Sequence, residues 1–462
     1  MDINTFERFY FIGIGGIGMS ALARYFMSQG KAVAGYDRVS RSLTDALQAE
    51  GADIHFEEAP AQIPGAFRNK GTFVVYTPAV PDDHAELHFF RKNGFPVFKR
   101  AGVLGLLSAN HTTIAVAGTH GKTTISAMLA NIFRVAGQNQ LAFLGGLANN
   151  FNGNLALPQK NATTPPLMVA EAEEFHRSFH QLSAGQVIVS ALDADHLDIY
   201  GTHEALTAAF QEFLDKLPAD GLALLNQSVA RQISPARAHS LSYSLEDSAA
   251  DAYAGNIRIA DGKLFFDYHF PQVLEGPVRD IPLQAPSVLN VENAVAALTL
   301  AARAGVQPTA LKQGIASFSG IWRRFDVHIQ QPHKVYIDDY AHHPVEITRT
   351  IQSVRKLFPG RHITAVFQPH LFSRTRDFAH GFAQSLSLAD RVVLLGIYPA
   401  REEPIRGVTS GWLFGKIKGK DKHLSTRSAL VPLIGSLETD IVLTLGAGNI
   451  DELVEDVKKV LS

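Results

Sequence analysis

An α/β fold divided among three domains is what this sequence predicts, and three observations carry that expectation. Short β-branched or aromatic runs alternate with segments of helical period along most of the chain, the pattern of parallel sheets joined by crossover helices. Twice a glycine-rich turn stands between such a strand and such a helix, at residues 13–18 and 118–121. The length of 462 residues also exceeds one core; at roughly 150 residues per domain it suggests about three.

The elements follow in order. A strand over 8–12 (RFYFI) turns through glycines into a helix over 19–28, and a second strand spans 32–36. Strands at 73–76 and 96–98 and a helix over 101–108 complete the first region, with a boundary near 108–111. The second region begins with a strand over 113–117 and a helix over 123–136. Strands at 167–170, 187–191 and 223–226 follow, with a helix over 205–217. Alternating short runs in 240–281, such as 257–259 and 263–268, predict antiparallel strands there. A helix over 291–304 closes the block, and 318–325 joins it to the third. There the pattern resumes as strand 335–337, helix 344–358 and strand 363–367, continuing to a strand at 441–445.

Composition narrows the function classes. Lys and Arg number 42 against 44 Asp and Glu, a formal net charge of -2. No global basic field would hold a polyanion, so nucleic acid is not an expected partner. The absence of cysteine excludes disulfide scaffolds, thiolate zinc sites and cysteine nucleophiles, and a reducing cytoplasm suits it. The opening MDINTFERFYF lacks the basic and apolar segments of a signal peptide, and no uninterrupted apolar run approaches the roughly 18 residues of a membrane span. The expectation is a soluble cytoplasmic protein without a membrane partner.

Two glycine loops carry the chemistry. Gly13, Gly15 and Gly18 form GxGxxG, with Asp37 at the end of the next strand. Glycines there let the backbone approach a diphosphate at a helix N-terminus, and an acid can meet a ribose. Three readings stay open: NAD, another nucleotide diphosphate, or a tight structural turn in which Gly16 merely packs. The sharper signal is GTHGKTT over 118–124. Backbone amides there can cradle phosphates, Lys122 can span the β and γ positions, and the Thr123 hydroxyl can reach a magnesium ion. It is a variant of the Walker sequence, which would need glycine where Val116 stands. Two phosphate loops suggest two phosphorylated ligands. Glu171, Glu173 and Glu174 follow the apolar strand LMVA, and DADH over 193–196 follows another. At the ends of parallel strands such groups face the crevice of the phosphate loop, where Glu171 and His196 could hold magnesium. Glu173 and Glu174 can also be read as solvated helix-start residues.

Further stretches resemble the Mur ligases over essentially the whole chain. They are FIGIGGIGMSALA (11–23), AVAGTHGKTT (115–124), DADHLDIYG (193–201), NVENA (290–294), RRF (323–325), DDYAHHPVEI (338–347), FQPHLFSRTRDF (367–378) and YPAREEPIRGVTS (398–410). The resemblance implies a Rossmann-like UDP-sugar domain over 1–108 and a P-loop ATPase-like domain over 109–317, its parallel sheet supplemented by antiparallel strands. A Rossmann-like amino-acid domain would span 318–462. DDYAHHP and FQPHLFSRTRD resemble the alanine-adding branch most. That implies an ADP-forming ligase, dependent on ATP and Mg2+, joining L-alanine to the lactyl carboxylate of UDP-N-acetylmuramate in peptidoglycan precursor synthesis. A ligase attaching a recycled tripeptide to the same sugar is the alternative within the family. A dinucleotide-dependent oxidoreductase would leave GTHGKTT unexplained.

Roles are implied residue by residue. Gly118, Thr119, His120, Gly121, Lys122, Thr123 and Thr124 would hold ATP phosphates, and Thr123, Glu171 and His196 the magnesium. Asn290 and Asn293 would meet the adenine region, and Arg324 and Asp339 the nucleotide. Gly15, Gly16, Ile17, Gly18 and Asp37 would bind the UDP sugar. Tyr340, His342, His343, His370, Arg374 and Arg376 would line the reacting carboxylate and the amino-acid pocket, with Lys122, His196, His342, His370 and Arg374 as the catalytic set. His342 or His343 could instead only pack, and Arg376 could pair on the surface. Three departures from the family pattern stand out. Glu173 and His176 replace aspartates in the acidic run, Leu371 replaces an arginine after FQPH, and Phe210 occupies the place of a carbamate-forming lysine.

Overall fold

The computed structural model describes residues 2–193, 197–260, 263–284, 287–400, 402–419 and 421–462. Among them three sheets form, in an α/β arrangement. The chain separates into two compact units. One comprises Met1–Gly255, Tyr268–Arg279 and Asn293–Ser317; the other comprises Asn256–Asp267, Asp280–Glu292 and Phe318–Ser462.

In the first unit, the N-terminal sheet runs Asp53–His55, Ala32–Tyr36, Arg8–Ile12, Thr72–Tyr76, Val97–Lys99, with neighbouring strands parallel. Alternation along Arg8–Ile12 sends Phe9 and Phe11 to one core and Tyr10 and Ile12 to another. A strand buried on both faces is apolar at nearly every position, which is why RFYFI reads as a continuous run. Phe9 stacks on Phe26 of the helix Ile17–Ser28 with ring centroids 3.7 Å apart. The strand order reverses beside Arg8–Ile12, so the crevice at its C-terminal end falls on the first glycine loop. The helix predicted from residue 19 begins earlier, at Ile17.

The central sheet has a parallel heart of Leu222–Asn226, Gln186–Val189, Thr113–Ala117, Leu167–Glu171 and Gln140–Ala148, in that order. Gly153–Ala156 closes one edge antiparallel to Gln140–Ala148. Register places Val116 opposite Glu171 and Ala117 opposite Val189. The second glycine loop, Glu171 and Ser190 therefore emerge together at the C-terminal ends of three adjacent strands. The expectation of antiparallel strands from 240 onward needs correction at its start. His239–Ser244 pairs parallel with Leu222–Asn226 and with Ala252–Ala260. Its alternation reports one wetter face, and alternation alone does not orient a strand.

The second unit is built on Asp326–Gln330, Val335–Asp339, Ile441–Leu445, Ile363–Phe367, Arg391–Leu394 and Lys422–Leu424. Only its first pair is antiparallel among the described residues. The central strands are buried throughout and end at Asp339, Phe367 and Leu445. Polar residues just past those ends share one edge of the sheet. Among the described residues no helix is long and apolar enough to cross a membrane.

Candidate active site

The phosphate loop sits where its sequence places it, between Thr113–Ala117 and the helix Lys122–Val135. Gly118 and Gly121 adopt φ of +123° and +81°, a region that costs a side chain 1–2 kcal/mol or so. Space forbids a side chain as well. A Cβ on Gly118 would collide with Ser190 Oγ, and one on Gly121 would lie 2.6 Å from Asn293 Oδ1. Asn293 thus lies against the loop. Gly121 is the N-cap and offers no side-chain cap, which leaves first-turn amides and the positive end of the helix dipole for an anion. Thr119 is used to brace the loop: its amide donates to Ala191 O at 3.0 Å and its Oγ1 accepts from Asp193 N at 3.1 Å. His120 Nε2 lies 3.4 Å from Asp193 Oδ2.

The acids after the strand Leu167–Glu171 divide their work. Glu171 Oε2 accepts from Thr123 Oγ1 at 3.1 Å, and Oε1 accepts from the Gly145 amide at 2.5 Å. A Cβ on Gly145 would strike that carboxylate, so the glycine is needed for the acid to stand there. Glu174, readable in the sequence as a solvated helix start, is buried at 1% exposure. Both its oxygens receive the Lys122 ammonium, at 3.0 and 2.9 Å, while Lys122 also donates to Gly118 O at 2.6 Å. Burial alone would lower the Lys122 pKa, but the carboxylates of Glu174, Glu171 and Glu173 together outweigh it and the pKa is raised. Glu173 is 48% exposed along its side chain and pairs with Arg100 at 2.5 Å. His176 has φ of +52°. Phe210 is fully buried, edge-on to Phe179 at 5.0 Å. His196 lies outside the described residues.

Small divalent cations take oxygen ligands, often one or two carboxylates completed by water and phosphate. Thr123 and Glu171 are donors of that kind, already 3.1 Å apart. Among the described residues no cluster of three His, Cys, Asp or Glu side chains is placed to hold a metal.

At the first glycine loop, Gly13 has φ of +83° and donates to Tyr36 O at 2.8 Å. Gly16 is the N-cap of Ile17–Ser28, again without a side-chain cap. Asp37 does not simply project toward a ligand. Its Oδ2 accepts from the Gly15 amide at 2.7 Å and its Oδ1 from Val39 N at 3.3 Å, so it pins the loop to the second strand.

In the second unit another cluster gathers past the strand ends. Asp339 is buried, and burial pushes its carboxyl up to about 6 against the opposing pull of Arg324. Ala341 N and Thr350 Oγ1 each donate to it at 3.0 Å. Arg324 lies 4.9 Å from the Tyr340 ring and 3.9 Å from Glu346. Arg323 is a clamp rather than a ligand group: buried, it meets Asp338 at 3.1 Å and donates to the carbonyls of Gly448 and Gly446. His342 Nδ1 is 3.1 Å from Tyr340 O and 3.3 Å from Glu346. Its ring meets His370 edge-on at 6.1 Å, and His370 stacks on Tyr398 at 5.8 Å. Tyr398 was not singled out in the sequence. Its carbonyl receives Leu371 N and its amide reaches Pro369 O, holding the turn in which Leu371 has φ of +66°.

His343 caps the helix Pro344–Leu357, receiving Val345 N at 3.4 Å, and its ring packs on Phe378 at 4.7 Å. Arg374 is partly buried on the short helix Phe372–Asp377, whereas Arg376 is exposed and pairs with Asp377 at 2.7 Å. Asn290 is buried in the first turn of Val288–Arg303.

The family description "Mur ligase family, catalytic domain" matches residues 8–112, "Mur ligase middle domain" 116–301 and "Mur ligase, glutamate ligase domain" 323–448. The chain is 47% identical to the UDP-N-acetylmuramate--L-alanine ligase of Parabacteroides distasonis, covering 100% of this chain and 98% of that one. The crystal structure of UDP-N-acetylmuramate-alanine ligase from Thermotoga maritima superposes with a TM-score of 0.80 at 25% identity, over 98% of both chains. A murein peptide ligase from Psychrobacter arcticus shares the fold with a TM-score of 0.70 at 22% identity, again over 98% of both.

Proposed function

Because this chain belongs to the Mur ligase family, we propose that it joins L-alanine to the lactyl carboxylate of UDP-N-acetylmuramate at the expense of ATP, a step of peptidoglycan precursor synthesis. The observation that carries this reading is the pair of uncapped helix N-termini behind glycine loops, one with Lys122 at its first position. Two phosphorylated substrates are thereby provided for, and a hydride-transferring enzyme would have no use for the second loop. The compartment proposed is the cytoplasm, the source of both nucleotides.

A carboxylate is a poor electrophile, so amide formation requires activation by phosphoryl transfer. A lactyl carboxylate oxygen attacks the γ-phosphorus of ATP, the bond to ADP breaks, and an acyl phosphate results. The L-alanine amine then attacks the acyl carbon, and inorganic phosphate leaves through a tetrahedral intermediate. In this scheme Lys122 turns from Glu174 to the β and γ phosphates, and the amides of 118–124 orient them. Thr123, Glu171 and His196 would hold Mg2+, which supplies charge neutralisation at the transferring group. Asn290, Asn293, Arg324 and Asp339 are proposed for the nucleoside side. Tyr340, His342, His370 and Arg374 are proposed for the amino acid and reacting carboxylate, with His343 supporting them through its cap.

Offering L-alanine and an L-alanyl tripeptide together, with ATP and UDP-N-acetylmuramate, tests the choice of amine. Mass spectrometry should find the product carrying a single alanine; a product carrying the tripeptide would favour the recycling reaction instead.

A further inference from the structure

Arg100 occupies a position that electrostatics alone would not choose. It opens the helix Arg100–Ser108, directly after the edge strand Val97–Lys99 of the N-terminal sheet. A cation at a helix N-terminus opposes the helix dipole. Its guanidinium also lies against a second positive pole. A Cβ on Gly18, in the first turn of Ile17–Ser28, would be 2.6 Å from Arg100 Nη1 and 3.1 Å from Cζ. The counter-charge is Glu173, half exposed, at 2.5 Å. Asp37, the other acid at this loop, has its two oxygens on the amides of Gly15 and Val39. Half-exposed ion pairs are weak, so Glu173 is a counter-ion that a stronger anion can replace.

We propose that Arg100 is a phosphate-binding residue of the nucleotide-sugar site, which Glu173 neutralises until the diphosphate arrives. The inference rests on reading the first glycine loop as the UDP-sugar site. A diphosphate seated on the amides behind Gly16 meets the guanidinium across Gly18, where the planar fork can donate two bonds at once. The absence of a side chain at Gly18 is what lets the arginine reach over the helix start. Adjacent acids thus serve the two loops, Glu174 on Lys122 and Glu173 on Arg100. The replacement of aspartate by the longer Glu173 gives the carboxylate an extra methylene of reach toward the arginine.

Calorimetric titration of UDP into the full chain tests this, with ADP titrated as a control. Arg100→Gln should weaken UDP binding by at least about tenfold, the usual worth of a hydrogen bond to a charged group, and leave ADP binding unchanged. Arg100→Lys should fall between the two, and Glu173→Gln should bind UDP at least as tightly as wild type. UDP binding by Arg100→Gln at wild-type affinity overturns the proposal while leaving the site reading standing. Equal losses of UDP and ADP binding in Arg100→Gln, or a Glu173→Gln variant as impaired as Arg100→Gln, would make the pair structural and overturn it too. A wild-type chain that binds ADP but no UDP overturns the site reading and the proposal together.

Discussion

Lys122→Ala should lower turnover by roughly 10² to 10³, the effect of removing one preorganised charge stabiliser, worth about 3 to 4 kcal/mol. The loss should exceed what the loop glycines can offset, because they orient the phosphates without supplying charge. The lysine is also half of a pair whose carboxylate, on Glu174, is 2% exposed along its side chain. Truncation takes the ammonium away from that buried carboxylate, and breaking a buried pair from one side typically costs about 3 to 5 kcal/mol of stability. The single variant should therefore be both inactive and less stable. Lys122→Ala with Glu174→Gln should recover most of the stability and none of the turnover. Thermal denaturation and ADP release on the same samples separate the two effects. A double variant that regains turnover, or a single variant keeping more than about a tenth of it, would remove Lys122 from the phosphate site.

Glu171→Gln carries the second large effect. Neutralising one oxygen donor of a hard-cation site weakens the metal, so the magnesium requirement should rise by at least about tenfold as maximal turnover falls. The substitution preserves shape: an amide oxygen can still accept from the Gly145 amide or from Thr123 Oγ1. Charge is what changes. Glu173→Gln should leave the magnesium requirement alone, because its carboxylate stands half exposed at Arg100, whereas Glu171 is the acid on Thr123. Magnesium titrations of ADP release compare them; equal effects would mean that both acids share the cation.

What could be read from the sequence was whatever depends on local chemistry. Strand, glycine loop and helix at 113–135 were legible because a β-branched apolar run, the loop glycines and a long apolar helical segment agree over that stretch. The strand Gln140–Ala148 was not read, since Gly145 and Gly146 interrupt LAFLGGLA and weaken its strand signal. Its function explains the first of them: Gly145 must lack a side chain for Glu171 to bond its amide. Glu174 was ambiguous for a different reason. A carboxylate beside a helix start is usually solvated, and only tertiary placement brings Lys122 to it. The same holds for Arg323, which is buried on Asp338, whereas its neighbour in sequence, Arg324, is about a third exposed, though both lie over the Tyr340 ring. Nothing in the pair RR distinguishes them. Asp37 could be placed at the loop from its spacing, but not its two backbone acceptances, which follow from how the second strand ends.

The most direct test of the coupled phosphoryl-transfer and amide-forming reaction is ADP release with each of UDP-N-acetylmuramate, L-alanine and magnesium withheld in turn. The account predicts sustained release only when all three are present, with each ADP matched by one alanine incorporated. Sustained release without the sugar nucleotide, or release at the full rate without any amino acid, would contradict it.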